Sequence, residues 1–322
     1  MTQVLVTGAA GFIGSHLSEA LTARGDTVVG IDNFDPFYPR SEKERNLRKV
    51  STHPGFRLHT MDILDADGLA ELLTSDTVIV HLAARPGVRP SLADPAGYAR
   101  VNVEGTAAML RAARDRGVSR IVFGSSSSVY GDDTPAPFRE DATALKPLSP
   151  YAATKRSGEL LLASMAPIYG FRAAGLRFFT VYGPRQRPDL AIHAFARRIL
   201  AGETLTLFGD GSQSRDYTYC DDIVSGIIAS LDWTAQAPVG LELFNLGGNE
   251  PVPLREMVRL LGEALGREPR ITWAPMQPGD VQHTYADLTK SGTMLGYHPR
   301  TTFSEGLRRF ASWLEDPDES KR

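Results

Sequence analysis

The chain has 322 residues, 42% of them hydrophobic, with 30 glycines and a formal charge of −3. That length permits two domains, and the near-neutral charge excludes a strong electrostatic draw toward nucleic acid or an anionic membrane. A single cysteine, Cys220, excludes an internal disulfide and points to a reducing cytoplasm, while seven histidines without ligand spacing and no C-x-x-C predict no metal site.

No apolar run approaches the roughly 20 residues that cross a bilayer, and no basic stretch precedes the first apolar segment, so neither a span nor a secretory leader is expected. In chain order, "QVLVTG" reads as a buried strand, and the helix after it sets Ile13, Leu17 and Leu21 on one face before Gly25 ends it. Then come "TVVGID" (strand), "FRLHTMDI" (strand), "DADGLAELL" (helix), "TVIVHLAA" (strand), a helix over 101–117, "SRIVFGSSS" (strand), a helix over 150–169 and "FRAAGLRFF" (strand). Regular alternation with near-continuous apolar strands predicts an α/β fold, a doubly wound parallel sheet of the Rossmann type covered on both faces. Beyond about residue 180 the pieces shorten, with helices near 189–201, 221–231, 253–265 and 303–315 and strands at "LTLFG", "LELFNLG" and "RITWAP". The expected division is a cofactor domain over residues 1–180, with 215–245 returning to it, and a smaller interleaved lobe over 181–322.

Two features carry chemistry. In "TGAAGFIGSHL" the glycines at Gly8, Gly11 and Gly14 follow a strand and open a helix, the context that presents backbone N–H groups and the helix dipole to a diphosphate. Asp32 ends the second strand, where a carboxylate accepts from ribose hydroxyls, and no Arg or Lys follows in "IDNFDPF" to neutralise a 2′-phosphate, which favours NAD over NADP. Asp62 in "MDI" is a candidate on the adenine side. Further on, "SPYAATKRSGE" places Tyr151 and Lys155 four apart on one helical face, after the serines Ser125–Ser128 at a strand end. Tyrosine ionises near pH 10, so a lysine ammonium beside it is expected to favour the phenolate and make it a base.

These motifs, with "HLAAR", "NVEGT", "SSSSVYG", "RFFTVYGPR" and "FGDGSQSRDYTYCDD", resemble the extended short-chain dehydrogenase/reductase family, and within it the NAD-dependent nucleotide-sugar epimerases and dehydratases. The resemblance runs through nearly the whole chain. It implies Tyr151 and Lys155 as the catalytic pair with Ser126 assisting, and cofactor contacts from Gly8, Gly11, Phe12, Ile13, Gly14, Asp32, Asn33, Asp62, Ile63, Leu82, Ala83, Ala84 and Asn102. It also implies a UDP-sugar substrate, with Arg215 and Asp280 on the nucleotide, and a homodimer built on the helices near 101–116 and 150–169.

Relatives that dehydrate carry an Asp-Glu pair, and those that decarboxylate UDP-glucuronate a glutamate, where this chain has Ser127 and Ser128. The resemblance therefore implies epimerisation, in which C4 is oxidised to a ketone on enzyme-bound NADH and the hydride returns to the opposite face. The stretches "FDPFYPRSEKERNL", "RPGVRPS" and "RFFTVYGPRQRPDLA" most resemble UDP-glucuronate 4-epimerases. Arg89, Ser127, Ser128, Thr180 and either Arg185 or Arg187 are the implied partners of the sugar and its carboxylate. A 4-epimerase acting on UDP-glucose or a UDP-N-acetylhexosamine is the alternative, ahead of a decarboxylase, a carbonyl reductase or a non-enzymatic NAD sensor.

Overall fold

The structure, a computed structural model, describes residues 2–143, 145–275 and 282–316. Strand β1 (Gln3–Thr7) leads through helix α1 (Phe12–Ala23), β2 (Thr27–Asp32), α2 (Arg40–Leu47), β3 (Phe56–Thr60) and α3 (Ala66–Glu71) to β4 (Val78–His81). Two short helices, α4 (Val88–Ala93) and α5 (Pro95–Ala99), enter a turn of π-helix at Arg100–Glu104 that continues as α6 (Gly105–Asp115). Next come β5 (Arg120–Ser126), a 3-10 turn (Ser127–Tyr130), α7 (Pro150–Tyr169) and β6 (Arg172–Phe178). The rest of the described chain is β7 (Thr180–Tyr182), α8 (Ala191–Leu200), β8 (Thr204–Phe208), β9 (Ser214–Tyr219), α9 (Cys220–Trp233), β10 (Gly240–Leu246), β11 (Pro251–Pro253), α10 (Leu254–Ala264), β12 (Arg270–Ala274), α11 (Thr289–Leu295) and α12 (Phe303–Glu315).

Seven strands form one parallel sheet in the order β10-β6-β5-β4-β1-β2-β3. The order reverses between β1 and β4, so the crevice at their carboxyl ends is where such a sheet takes a ligand. Apolar residues on one face pack with α1 and α9 around Leu17, Leu21, Val80 and Ile227. On the other, Ile79, Ile121, Met109 and Leu162 pack with α6 and α7. The expected Rossmann-type sheet is present.

The later elements build a second core of Tyr182, Tyr219, Leu261, Phe303, Leu307 and Phe310, which reaches Phe12 in the first turn of α1. Within the stretch 215–245, α9 packs beside α1 and β10 joins the central sheet next to β6, whereas β9 pairs with β7 and β11 in a three-stranded sheet. Local signals set the ends of α7. Ser149 caps it by accepting from the Ala152 N–H at 3.1 Å, Pro150 occupies its first turn, and Gly170 closes it at φ +73°. Tyr151 therefore lies in the first turn and Lys155 one turn further, both toward the crevice.

The candidate active site

At the end of β1 three glycines make a cradle that side chains would fill. Gly8 sits at φ +73°, and a Cβ there would lie 3.0 Å from the Ala83 nitrogen; a Cβ on Gly14 would lie 2.1 Å from the Gly8 oxygen. Gly11 precedes α1 without a side-chain cap, so the N–H groups at the start of that helix are not taken by a cap. Gly8, Gly11, Phe12, Ile13 and Gly14 all line one cavity, along with Asn33, Ile63 and Leu82–Ala84. The Thr7 hydroxyl accepts from the N–H groups of Leu82 and Ala83, at 3.1 Å each, and faces His81 Nδ1 at 2.8 Å. Burial holds that imidazole neutral, its pKa pushed down to about 3. This donor set, a bare helix N-terminus beside a backbone cradle and a strand-end carboxylate, fits the diphosphate and ribose of a dinucleotide.

Asp32 lines the cavity and accepts from the Phe34 N–H at 2.8 Å and the Ala10 N–H at 3.2 Å. No Arg or Lys follows it directly in "IDNFDPF". The structure supplies one: Lys43 on α2 reaches back so that its Nζ lies 3.0 Å from Asp32 Oδ1. Asp62 does not line the cavity; it accepts from Asn33 Nδ2 at 2.9 Å and so steadies a residue that does. Asn102 is likewise one step removed. It lies in the π turn, brackets the Arg85 backbone with bonds of 2.7 and 3.0 Å, and donates to Thr154 on α7 at 3.0 Å.

Tyr151 and Lys155 line the same cavity. Burial pushes the Tyr151 phenol above its ordinary value, opposed by a hydrogen bond with Ser126 and by the Arg187 guanidinium. Lys155 was expected to favour the phenolate, but it turns elsewhere. Its Nζ donates to the Gly124 carbonyl at 2.7 Å over the Phe123 ring, and burial lowers it to about 8. Arg187 is the guanidinium whose charge opposes burial at the phenol. Below the strand end, the Ser125 hydroxyl donates to Glu159 at 2.6 Å, and Glu159 takes a two-pronged bond from Arg177 at 2.9 Å per prong. That network was missed, although Glu159 stands one turn after Lys155 in "YAATKRSGE".

The two candidate arginines separate cleanly. Arg187 lines the cavity, is braced by Asp189 with two 2.9 Å bonds, and stacks over Phe37. Arg185, at φ +64°, points to α1, where it meets Glu19 at 2.7 Å, and it does not line the cavity. Arg89 is exposed on α4; its neighbour Arg85 is the one on the cavity wall, paired with Asp94 at 2.5 Å. Ser127 and Ser128 occupy the turn after β5, with Ser128 Oγ 3.2 Å from Ser126 Oγ, and Thr180 opens β7; all three are half-buried and do not line this cavity. Arg215 on β9 donates to the carbonyls of Ser214 and Gln282 at 2.9 and 3.3 Å, apart from this cavity. Asp280 lies outside the described residues.

With this geometry in hand, the profile of the NAD dependent epimerase/dehydratase family matches residues 4–247. The chain belongs to that family. Similar proteins of known sequence include a UDP-glucuronate 4-epimerase of Thermodesulfobacterium geofontis, 38% identical over 98% of this chain and 97% of its own. Among solved structures, UDP-glucuronic acid 4-epimerase from Bacillus cereus in complex with UDP-glucuronic acid and NAD superposes with a TM-score of 0.91, at 38% identity over 98% of this chain and 99% of that one. A UDP-N-acetylglucosamine 4-epimerase from Methanobrevibacter ruminantium superposes at 0.88 with 31% identity over 97% of this chain and 98% of its own. Among the described residues no helix is long and apolar enough to cross a membrane.

Proposed function

We propose that this protein inverts C4 of UDP-glucuronate to give UDP-galacturonate, with NAD as its resident cofactor. The observation that carries this reading is Arg187, a braced guanidinium lining the same cavity as Tyr151, suited to a carboxylate on the sugar. The neighbouring turn offers the hydroxyls of Ser127 and Ser128 and no carboxylate for elimination. The related structure that holds UDP-glucuronic acid and NAD supports the same choice.

NAD supplies the oxidant that takes hydride from C4 and gives it back. The chain's residues do the rest. Tyr151, as phenolate, takes the proton of the C4 hydroxyl while Ser126 bonds to the same oxygen, and after the ketone turns Tyr151 returns the proton to O4. Lys155 is assigned to the nicotinamide ribose. Gly8, Gly11, Phe12, Ile13 and Gly14 hold the diphosphate, Asp32 and Asn33 the adenosine ribose, and Ile63 with Leu82–Ala84 the apolar wall. Arg187, Ser127, Ser128 and Thr180 fix the C6 carboxylate. A 4-ketouronate is a β-keto acid that loses CO₂ when its carboxylate bond aligns with the carbonyl π system, so this clamp also guards the product. Arg215 and Asp280 are kept as nucleotide partners, Asp62 and Asn102 as supports of the cofactor loops, and Arg85 replaces Arg89 as the wall arginine.

Incubating the protein with UDP-glucuronate and resolving the products decides the matter. UDP-galacturonate without net NADH turnover is expected; a UDP-pentose, stoichiometric NADH consumption, or activity confined to UDP-glucose would refute it.

The reading extends to placement and assembly. Residues 1–180 with most of 215–245 form the cofactor half and 181–322 mainly the sugar half. The buried free thiol of Cys220 suits the cytoplasm. On α7, Leu160 and Ile168 are 54% and 70% exposed, an apolar face that a second copy covers in a homodimer. Sedimentation of a Leu160→Glu variant as a dimer would sink that assignment.

A further inference from the structure

The sequence predicts no metal site because its histidines and its one cysteine are spread along the chain. The fold brings ligand atoms together all the same. Helix α9 packs beside α1, so Cys220 and Asp221 at the start of α9 meet His16 in the second turn of α1. A ring nitrogen of His16, the Cys220 sulfur and a carboxylate oxygen of Asp221 all lie within 4.8 Å of one another, the one such group among the described residues. Donor atoms held at about 2.0–2.3 Å from a tetrahedral zinc ion stand roughly 3.3–3.6 Å apart, and Cys220 Sγ is 3.7 Å from Asp221 Oδ1. His16 Nε2 lies 2.9 Å from the Pro184 carbonyl. A carbonyl only accepts, so Nε2 carries the proton and Nδ1 the lone pair, the backbone-bonded tautomer common in metal-bound histidines. Burial keeps that ring neutral, and an edge contact with Phe12 at 5.8 Å fixes its plane. Cys220 is buried, whereas Asp221 is exposed and lines a second cavity with Tyr297, Arg300 and Arg309, a way in for an ion. The surrounding charges are already engaged: Arg185 pairs with Glu19 at 2.7 Å, and Arg309 bonds Glu305 while standing 3.7 Å from Asp221 Oδ2, away from the oxygen that faces the thiol.

We propose that His16, Cys220 and Asp221 form a binding site for a borderline-soft divalent cation, zinc above all, with water as the fourth ligand. The donor set selects that class. A thiolate and an imidazole suit zinc and its transition-metal neighbours, whereas magnesium and calcium take oxygen ligands. Burial holds the Cys220 thiol protonated until an ion arrives. Binding then breaks the Sγ–H bond, sends the proton to solvent and forms the Sγ–metal bond, with no change of oxidation state. The site is a staple and takes no part in the reaction, since none of its three residues lines the cavity of Tyr151 and the glycine cradle. It joins the start of α9 to α1, and through the Pro184 carbonyl it reaches the loop that leads to Arg187. An ion that binds only the folded chain raises its stability by mass action.

Titration of the tag-free full chain, treated first with chelator, with cobalt(II) and then zinc tests this without turnover. Cys220 is the only cysteine in the sequence, so a near-ultraviolet thiolate-to-cobalt charge-transfer band can come from no other residue. The expected result is such a band saturating at one equivalent, bleached by zinc, with a higher melting temperature for the zinc-loaded chain. Cys220→Ser should abolish the band. In calorimetry His16→Gln and Asp221→Asn should each weaken zinc binding by at least about 10-fold. Asp221 lies at the exposed rim, so Asp221→Asn keeps the test decisive if a variant of the buried residues folds poorly. Absence of the band in wild type, zinc affinity unchanged by Asp221→Asn or Cys220→Ser, or magnesium competing with zinc on equal terms would overturn the inference.

Discussion

Two ion pairs in this molecule are both buried and do opposite jobs. Glu159–Arg177 is 1% exposed on each side, walled in by Ser125, Arg156 and the Tyr130 ring, on which the Arg177 guanidinium rests at 4.6 Å. Lys43–Asp32 is nearly as deep, at 8% and 5%, but both partners open onto the cavity. The enclosed pair has only protein to bond with, so it pins β5 and β6 to α7 beneath the serine turn. The open pair can trade a bond with a ligand. Depth alone does not separate structural from binding charges; what the pair faces does.

The comparison can be sharpened from the reacting centre outward. Tyr151 belongs to neither pair, so Tyr151→Phe should cut C4 inversion by about 10²- to 10⁴-fold while calorimetric NAD⁺ affinity and melting temperature stay at wild-type values. Glu159→Gln leaves Arg177 uncompensated in the interior and should lower unfolding free energy by about 3–5 kcal/mol in denaturant titration; a loss near zero would remove the distinction between the pairs. Arg187→Met should raise KM for UDP-glucuronate by about 10- to 100-fold. It also strips from Tyr151 a cation that lowers its pKa, so the ascending limb of the pH–rate profile should move to higher pH. An unmoved limb would mean that Arg187 touches only the substrate.

Lys155 adds a pH dependence to stability, because its folded pKa of about 8 lies below its ordinary 10.5. Between those values the unfolded chain binds more protons, so this residue's contribution to stability rises from about pH 8 to 10.5 and is unfavourable below 8. The stability difference between wild type and Lys155→Met, followed by thermal melts across that range, should shift in favour of wild type as pH rises.

The parts legible in the sequence were those that bury apolar side chains at a regular period. Ile13, Leu17 and Leu21 announce α1, the runs of Val and Ile announce β1, β4 and β5, and Ser149 with Pro150 announces the start of α7. Helix α2 escaped because its inward face is Lys43, Asn46 and Leu47, two of which are polar, and hydrophobic periodicity cannot register a polar face that is satisfied by the protein. The same blindness left Arg185 and Arg187 equivalent on paper. They lie two apart, and only the left-handed backbone at Arg185 sends one toward Glu19 and leaves the other to Asp189. Tyr151 and Lys155 were brought to one cavity as their spacing requires, but the partner of the lysine ammonium is a backbone carbonyl, which no sequence pattern advertises.

The π turn at Arg100–Glu104 carries a different kind of information, written in chain length. Such a turn is an α-helix with one residue too many, and here the surplus swings Asn102 inward onto the Arg85 backbone. Deleting one residue from this turn would restore a regular helix with every later position unchanged in type and shifted by one. The helix would survive, and the loop that Asn102 ties would be left untethered.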